Sequence, residues 1–205
     1  MYSDLYTGGL FDTNCFYIPT GEGAILVDAP QGSADWLAAK GYKVSTLLLT
    51  HGHIDHVADA ARIRRNHGCR VGYHEEGVEM LTDPGFFRRL GFGWEIEPVN
   101  ADFLIAAADS FPVEGIDFQV LYVPGHCPGS LCFFDKKERL LYGGDVLFAG
   151  GVGRWDLPGG DRDLLLSGIH AKVLPLGDDV RVLPGHGPAT TVGQERRTNP
   201  FLAGA

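Results

Sequence analysis

The chain has 205 residues, of which 44% are hydrophobic, and this size predicts a single domain over residues 1–205. Its formal net charge of −9 disfavours nucleic-acid binding, which needs a clustered basic surface, although a few local arginines could still bind a small anionic substrate. The N-terminus has neither a basic start nor an apolar core, and no later segment approaches the ~18 apolar residues of a membrane span, so we expect a cytoplasmic protein without membrane contact.

Short apolar runs, rich in β-branched and aromatic residues, recur along the chain and predict strands. They cover residues 15–18, 24–27, 44–49, 118–123, 131–134, 140–142 and 180–183. Residues 21–23 and 136–139 predict hairpin turns between neighbouring runs. Two stretches predict helices, one from Ile54 to the stop at Gly68 and one from Asp161 to Leu174. Strands interspersed with helices indicate a layered α/β protein.

The strongest chemical signal follows the third apolar run, in the segment THGHIDHVADAA. His51, His53, Asp55 and His56 fall within six residues, at the point where the predicted strand gives way to the predicted helix. Imidazole nitrogens and carboxylate oxygens are donors that zinc and similar divalent ions prefer. Four such residues at one junction have no packing rationale, so the segment predicts a metal site.

Three later apolar runs each end in one more candidate ligand. His126 lies in the turn VPGHCPG, Asp145 follows the run LLYGG, and His186 lies in the turn LPGHGP. Proline fixes φ and glycine permits tight turns, so these segments would hold their side chains nearly in place. If the strands lie side by side, the three residues converge on the first cluster.

Seven candidate ligands are more than one four-coordinate metal needs, and their number fits a dinuclear site. The predicted sets are His51, His53 and His126 for one metal, Asp55, His56 and His186 for the other, and Asp145 as the bridge. The open positions would hold a shared hydroxide, which Asp55 would also orient, and this is the machinery of a hydrolase. Zinc suits nitrogen and oxygen donors best, while iron and manganese use overlapping donor sets.

The motifs THGHIDHVA, YGGDVLFAGGVGRWDLPGGD and LPGHGPATTVGQERRTNPF resemble those of the metallo-β-lactamase superfamily, and within it the glyoxalase II-like hydroxyacylglutathione hydrolases. The resemblance covers nearly the whole chain. It implies an α/β fold of the αββα sandwich type, with two metals at the edge of the sheets and the same ligand sets as above. It also implies that the substrate is a small thioester such as S-2-hydroxyacylglutathione.

The same resemblance implies a role for Arg154. In glyoxalase II the loop after the bridging aspartate carries a basic residue that contacts a glutathione carboxylate, and Arg154 occupies this place; the alternative is an ordinary surface arginine. The chain resembles a compact form without the C-terminal helical domain of glyoxalase II, and Asp156 places an acid near the expected carboxylate site. Both departures favour a broader range of thioesters.

Two alternatives to a hydrolase stay open at this point. The related persulfide dioxygenases use one iron held by two histidines and an aspartate, here His51, His126 and Asp145, and they keep the other ligand-type residues. The motif therefore does not exclude an oxidative enzyme, although THGHIDHVA resembles the hydrolases more closely. The other alternative is a metal-binding or sensing module without activity, and the completeness of the ligand set argues against it.

The segment PGFFRRLGFGWEIEP contains four aromatic residues, Phe86, Phe87, Phe92 and Trp94, with two arginines between them. Aromatic and arginine side chains are frequent in substrate pockets and in subunit contacts. The segment could therefore line the substrate pocket, form a homo-oligomer contact or pack on its own core.

Overall fold

The computed structural model describes residues 4–91, 93 and 95–202. Its strands are β1 (Asp4–Gly8), β2 (Thr13–Pro19), β3 (Ala24–Val27), β4 (Thr46–Leu48), β5 (Arg70–Tyr73), β6 (Phe103–Leu104), β7 (Ala108–Val113), β8 (Ile116–Tyr122), β9 (Leu131–Asp135), β10 (Leu140–Gly144), β11 (Leu147–Phe148), β12 (Gly151–Val152), β13 (Arg181–Pro184) and β14 (Thr190–Thr191). Its α-helices are α1 (Ser33–Lys40), α2 (Ile54–Val57), α3 (Ala60–His67), α4 (Val78–Thr82), α5 (Phe86–Arg89), α6 (Arg162–Gly168) and α7 (Val192–Thr198). Within these residues, no helix is long and apolar enough to cross a membrane.

The strands form two six-stranded sheets that share one apolar layer. The first sheet has the order β1-β2-β3-β4-β5-β6 and the second the order β14-β13-β10-β9-β8-β7, while β11 and β12 pair with each other. Strands β3 to β6 run parallel, as do β10 and β13, and the other pairs are antiparallel. Helices α1 to α5 pack on the first sheet and α6 and α7 on the second. This arrangement confirms the αββα sandwich expected from the sequence.

The core consists of three apolar layers, and alternate residues of each central strand face different layers. In β4, Leu47 packs towards the helices and Leu48 packs between the sheets. In β9, Cys132 faces α6 and Phe133 faces the other sheet. Both faces of these strands are buried, and this explains why their sequences are continuous apolar runs rather than alternating ones.

The helix predicted over residues 54–68 is wrong as a continuous element, because it is interrupted between α2 and α3. The carboxylate of Asp59 accepts hydrogen bonds from the backbone N–H groups of Gly32 and Ala34, each over 2.9 Å. The backbone N–H of Asp59 donates to the carbonyl of Ala29 over 2.9 Å instead of continuing the helix. The break therefore fastens α2 to the loop that follows β3.

The other predictions of local structure fare unevenly. All seven predicted strands are present, with bounds that shift by a few residues, and both predicted hairpin turns join antiparallel strands. The helix predicted from Asp161 to Leu174 begins as α6 and continues as a π-helical turn, Ile169–Val173. The pattern missed the strands β1, β5, β6, β7, β11, β12 and β14 and the helices α1, α4, α5 and α7, which are short or partly exposed and so lack a strong apolar period.

Burial in the layer between the sheets predicts that two leucines of the first sheet differ clearly in their contribution to stability. Leu48 is 0% exposed in this layer, whereas Leu104 on the edge strand β6 is 59% exposed. We expect Leu48→Ala to lower the free energy of unfolding by about 3 kcal/mol, because it removes buried methyl groups and leaves a cavity. The matched change Leu104→Ala should alter it by no more than about 0.5 kcal/mol. Urea denaturation at one fixed metal concentration measures both, and equal effects would contradict the assigned layer.

Candidate metal centre

The loop after β4 and the short helix α2 carry four of the candidate ligands. These are His51 and His53 in the loop and Asp55 and His56 in the helix. Asp28, which directly follows β3, anchors the start of this loop. The backbone N–H of Thr50 donates to Asp28 Oδ1 over 2.8 Å, and the hydroxyl of Thr50 donates to Asp28 Oδ2 over 2.8 Å. The ends of two neighbouring strands are thereby joined beside the cluster.

The other three candidates come from the second sheet. They are His126 after β8, Asp145 after β10 and His186 after β13. Strands β10 and β13 are neighbours, but β9 separates β8 from β10, and β4 belongs to the other sheet. The ligand-bearing strands therefore do not all lie side by side, which was the condition named for convergence. Their loops still converge at one edge of the sandwich, where the donor atoms of both sheets meet.

Two glycines in the histidine turns are required by space. Gly125 has a φ of 121°, and a Cβ atom there would collide with the backbone of Leu165 in α6. At Gly185 a Cβ atom would collide with Asp145 Oδ1 and with the imidazole of His56. The glycines predicted to shape the turns therefore also let the backbone come close to the cluster.

The donor atoms of the seven candidates lie in three overlapping groups, within each of which they are at most 4.8 Å apart. The groups are His51, His53 and His126; His51, His56 and Asp145; and Asp55, His56 and His186. Asp145 lies between the histidines of the two predicted ligand sets, because its Oδ2 is 3.5 Å from His126 Nε2 and 3.3 Å from His186 Nε2. The fold thus brings together the residues of both predicted sets.

The spacing of these atoms fits metal coordination. His51 Nε2 and His126 Nε2 are 3.2 Å apart, and His56 Nε2 and His186 Nε2 are 3.3 Å apart. Two ligands of one tetrahedral metal with bonds of ~2.0–2.1 Å are separated by roughly 3.4 Å. Asp145 Oδ1 is buried and meets no hydrogen-bond donor in favourable geometry, although His56 Nε2 lies 3.3 Å away. Nitrogen and oxygen donors at this spacing suit two divalent cations.

Hydrogen bonds at Nδ1 orient four of the histidines so that Nε2 faces the cluster. Their partners are Thr50 Oγ1 for His51, Asp28 Oδ2 for His56, the Arg154 carbonyl for His126 and the Phe11 carbonyl for His186, over 2.7–3.1 Å. A carbonyl accepts only from a protonated Nδ1, so the neutral rings of His126 and His186 carry their lone pair on Nε2. The rings are therefore held ready to coordinate.

The two halves of the cluster differ in charge. Burial lowers the pKa of His51, His53 and His126, that of His53 to about 3, so these imidazoles are neutral. Burial also opposes protonation of His186, but hydrogen bonds to Asp145 and Asp55 outweigh it and raise the pKa of His186 to about 10. Burial acts likewise on His56, yet nearby carboxylates, led by Asp145, raise its pKa well above the ordinary value. The half next to α2 therefore holds protons when no metal is bound.

A cavity of about 440 Å³ opens directly onto the cluster. Its walls carry six apolar side chains: Phe11, Ile54, Phe87, Phe148, Val152 and Leu157. The ring of Phe148 packs edge-on against His186, with centroids 6.1 Å apart. We name this space the metal-side cavity, and its apolar walls would hold an organic substrate against the cluster.

Arg154 lines the metal-side cavity, in the region where the resemblance to glyoxalase II would place a substrate-binding residue. Its side chain is not directed at an open anion site, because Nε and Nη2 donate to Asp156 Oδ1 and Oδ2 over 2.8 Å each. Its carbonyl accepts the hydrogen bond from His126 Nδ1. Arg154 is therefore tied to the cluster through its backbone and to Asp156 through its guanidinium group.

Several residues that hold the cluster escaped the sequence reasoning. Asn14 Nδ2 donates to the carbonyls of Pro184 and Gly187 over 3.0 and 2.9 Å and so clamps the turn that carries His186. The hydroxyl of Thr13 donates to Asp55 Oδ2 over 3.0 Å. Of these residues, only Asp28 could have been found from the sequence, since it follows an apolar strand as the predicted ligands do.

The aromatic segment combines two of its predicted roles. Phe87 is buried in the core on the first sheet and also lines the metal-side cavity, while Phe86 packs against it with centroids 5.3 Å apart. Phe92 and Trp94 lie outside the described residues. The segment is therefore both a pocket wall and part of the core.

An αββα sandwich with imidazole and carboxylate donors gathered at one edge defines the metallo-hydrolase class. The chain belongs to the metallo-beta-lactamase superfamily, whose family model matches residues 8–186. The resemblance identified from the motifs is thus confirmed at the level of the superfamily.

Individual relatives extend this similarity over almost the whole chain. Hydroxyacylglutathione hydrolase GloC of Haemophilus influenzae is 36% identical over 199 residues, covering 94% of this chain and 93% of that protein. The crystal structure of BLEG-1 B3 metallo-beta-lactamase has a TM-score of 0.89 at 37% identity, covering 98% of this chain and 99% of that chain. The crystal structure of TTHA1623 in a di-iron-bound form has a TM-score of 0.86 at 35% identity, covering 98% of this chain and 100% of that chain. Proteins named for different activities, a hydroxyacylglutathione hydrolase and a metallo-beta-lactamase, are therefore both similar to this chain.

Removing the charge of Asp28 should weaken metal binding. In Asp28→Asn, His56 loses the carboxylate that orients it, so we expect the affinity of the Asp55, His56 and His186 set to fall about 10- to 100-fold. Competition with a chelator at pH 7 measures this affinity. The control Asp35→Asn breaks only an exposed ion pair with Arg62 and should leave it unchanged. A decrease in metal affinity of less than about threefold in Asp28→Asn would contradict the role of Asp28 in orienting His56.

The charge difference between the two halves predicts stepwise proton release. Because the pKa of His186 is raised to about 10 in the metal-free protein, metal must displace a proton there at neutral pH. Affinity at that set should therefore rise about tenfold per pH unit for each displaced proton between pH 6 and 9. Calorimetry in buffers of different ionisation enthalpy should find the protons released mainly with the second metal equivalent. Release of equal numbers of protons with the first and the second metal equivalent would refute the charge difference between the two halves of the cluster.

Proposed function

We propose that this protein is a metal-dependent hydrolase of thioesters such as S-2-hydroxyacylglutathione. The observation that carries the proposal is the pair of donor sets joined by Asp145 at the floor of an apolar cavity. The similarity to hydroxyacylglutathione hydrolase GloC over 94% of the chain supports the choice of a thioester. Water would add to the thioester carbonyl, the carbon–sulfur bond would break, and a carboxylic acid and a thiol would leave.

Seven side chains would hold the metals. His51, His53 and His126 would bind one divalent ion, Asp55, His56 and His186 the other, and Asp145 both. Two ions at these positions would lower the pKa of a water molecule to about 7 and polarise the thioester carbonyl. We propose zinc as the resident metal from the donor types, with iron as the competing candidate because TTHA1623 is described in a di-iron-bound form.

Asp55 is suited to orient the attacking water. Its pKa is about 2 in the metal-free protein, because the cationic His56 and the hydrogen bond from His186 outweigh its burial, so it is a carboxylate at any working pH. Thr13 fixes its Oδ2 with a hydrogen bond of 3.0 Å. The carboxylate lines the metal-side cavity and can accept a hydrogen bond from water there.

The walls of the cavity favour direct attack by water. Among the described residues that line the metal-side cavity, none is serine, threonine, cysteine or lysine. The side chains that most often form covalent intermediates with acyl groups are thus missing from these walls. The six apolar side chains would instead hold the substrate and exclude bulk water from the reacting carbonyl.

Metal content and thioesterase activity test the proposal together. Elemental mass spectrometry on protein purified without added metal should find two ions per chain, and this protein should hydrolyse S-lactoylglutathione. Asp55→Asn should lower kcat at least 100-fold, because it weakens one metal site and removes the group that orients water. The control Asp35→Asn should keep wild-type kcat. A single iron per chain with no second ion taken up would overturn the proposal and favour persulfide oxygenation.

A β-lactam serves as the competing substrate, because BLEG-1 is described as a metallo-beta-lactamase. We expect kcat/KM for S-lactoylglutathione or a related thioester to exceed that for a chromogenic cephalosporin at least 100-fold. The reverse order, measured on the same metal-loaded sample, would assign lactam hydrolysis instead.

A further inference from the structure

Apart from the metal cluster at its floor, the described lining of the metal-side cavity offers a substrate very little positive charge. Arg154 is the one lysine or arginine among the described residues of its lining. The guanidinium group makes two parallel hydrogen bonds of 2.8 Å to the carboxylate of Asp156. This fork-to-fork geometry uses the same donors that would grip a substrate carboxylate.

The pair of Arg154 and Asp156 stays charged over the whole working range of pH. Hydrogen bonds from Arg154 lower the pKa of Asp156 to about 2, so Asp156 does not release Arg154 by protonation above that pH. Both side chains are largely exposed, at 59% for Arg154 and 64% for Asp156. A substrate carboxylate could therefore reach Arg154, but only by displacing an internal carboxylate that is always present.

A second cavity of about 440 Å³ adjoins the first and shares Phe11, Ile54 and Asp55 with it. Its described lining contains no lysine, arginine or histidine, and it adds the acids Asp59 and Glu95. Glu95 accepts a hydrogen bond from Arg88, so the guanidinium group of Arg88 is also paired with an acid. A substrate that extends from the first cavity into the second would meet acids rather than free cations.

Glutathione carries two carboxylates, and apart from the metal cluster the described lining of these cavities offers neither of them an unpaired lysine or arginine. We infer that Asp156 is a positioning residue that holds Arg154 away from the substrate and so selects thioesters whose thiol portion is uncharged. The inference rests on the proposed thioesterase function and narrows its substrate class, because it ranks S-2-hydroxyacylglutathione below thioesters whose thiol portion carries no carboxylate. Asp156 acts through Arg154, and its effect should appear in the binding of charged substrates rather than in the chemical step.

Two substrates with the same acyl group isolate this effect. S-lactoylglutathione carries two carboxylates in its thiol portion, whereas S-lactoyl-N-acetylcysteamine carries none. In the metal-loaded wild type, kcat/KM should be at least fivefold higher for the uncharged thioester. Asp156→Asn should lower KM for S-lactoylglutathione about five- to tenfold with kcat unchanged, because Arg154 becomes available and one negative charge is removed. KM for the uncharged thioester should change less than twofold.

Two further variants locate the effect. Asp163→Asn is the matched control, because Asp163 is an exposed acid that pairs with the neighbouring Arg162 and does not line either cavity. It should leave both KM values unchanged. In the double variant Asp156→Asn with Arg154→Met, the decrease in KM for S-lactoylglutathione should disappear. The backbone carbonyl at position 154 would still accept the hydrogen bond from His126. A decrease in KM that survives loss of the guanidinium group would overturn the inference.

A binding measurement separates this inference from the proposed function. S-methylglutathione keeps both carboxylates but has no thioester to cleave and no free thiol to bind metal. Calorimetry should find that it binds Asp156→Asn about five- to tenfold more tightly than the wild type, with the difference reduced at high salt. If neither thioester is hydrolysed but this difference is found, thioester hydrolysis fails while the role of Asp156 stands. Equal binding to both proteins would refute the role of Asp156, whatever the activity.

Discussion

The carboxylate of Asp28 is the contact on which the metal centre depends. It accepts hydrogen bonds from the backbone and hydroxyl of Thr50 and from His56, and so joins the ends of β3 and β4 to α2. Asp28 adopts a φ of 62°, which is uncommon for a residue with a side chain. The three buried hydrogen bonds offset this backbone strain, because all three would be lost if Asp28 relaxed. A residue that is not itself among the donors thus determines where the donors of the first sheet lie.

The cluster is prepared for metals in two different ways. On the side of the β4 and β8 loops, burial keeps three imidazoles neutral, so their lone pairs are available without prior loss of a proton. On the side of α2 and β13, the carboxylates of Asp55 and Asp145 favour protonated histidines, and the positive charge of these histidines balances the negative charge of the carboxylates. Both arrangements avoid an uncompensated buried charge, which would destabilise the fold. Divalent cations bound to the cluster would supply the positive charge that these protons supply in the metal-free protein.

Substrate recognition in this pocket relies on shape and apolar contact more than on charge. Among the described residues, six apolar side chains and one arginine line the metal-side cavity, and the guanidinium group of that arginine is paired with Asp156. The overall net charge of −9 is consistent with this local picture. Metals at the floor would hold the reacting carbonyl, while the walls would distinguish substrates by size and polarity. Proteins that share a fold but differ in activity can differ in these walls without any change at the metal ligands.

The resemblance of the motifs implied the αββα sandwich, whereas the amino-acid sequence by itself determined a layered α/β protein, its central strands and the seven candidate ligands. These features were predictable because fully buried strands leave continuous apolar runs, and because histidines and aspartates at strand ends have few packing reasons to occur together. Edge strands, short helices and the break at Asp59 were not predictable, since they depend on partners distant in the chain and leave weak local periods.

Tertiary structure alone decided how the ligand sets meet and what surrounds them. The sequence could not reveal that β4 lies in a different sheet from the other ligand-bearing strands, because strand order is set by long-range packing. Nor could it reveal that Arg154 is paired: residues two apart in a loop can point together or apart, and only the folded backbone brings the two groups into a double hydrogen bond. The chemistry of the site was therefore encoded locally, whereas its access and selectivity arise from the packing of distant segments.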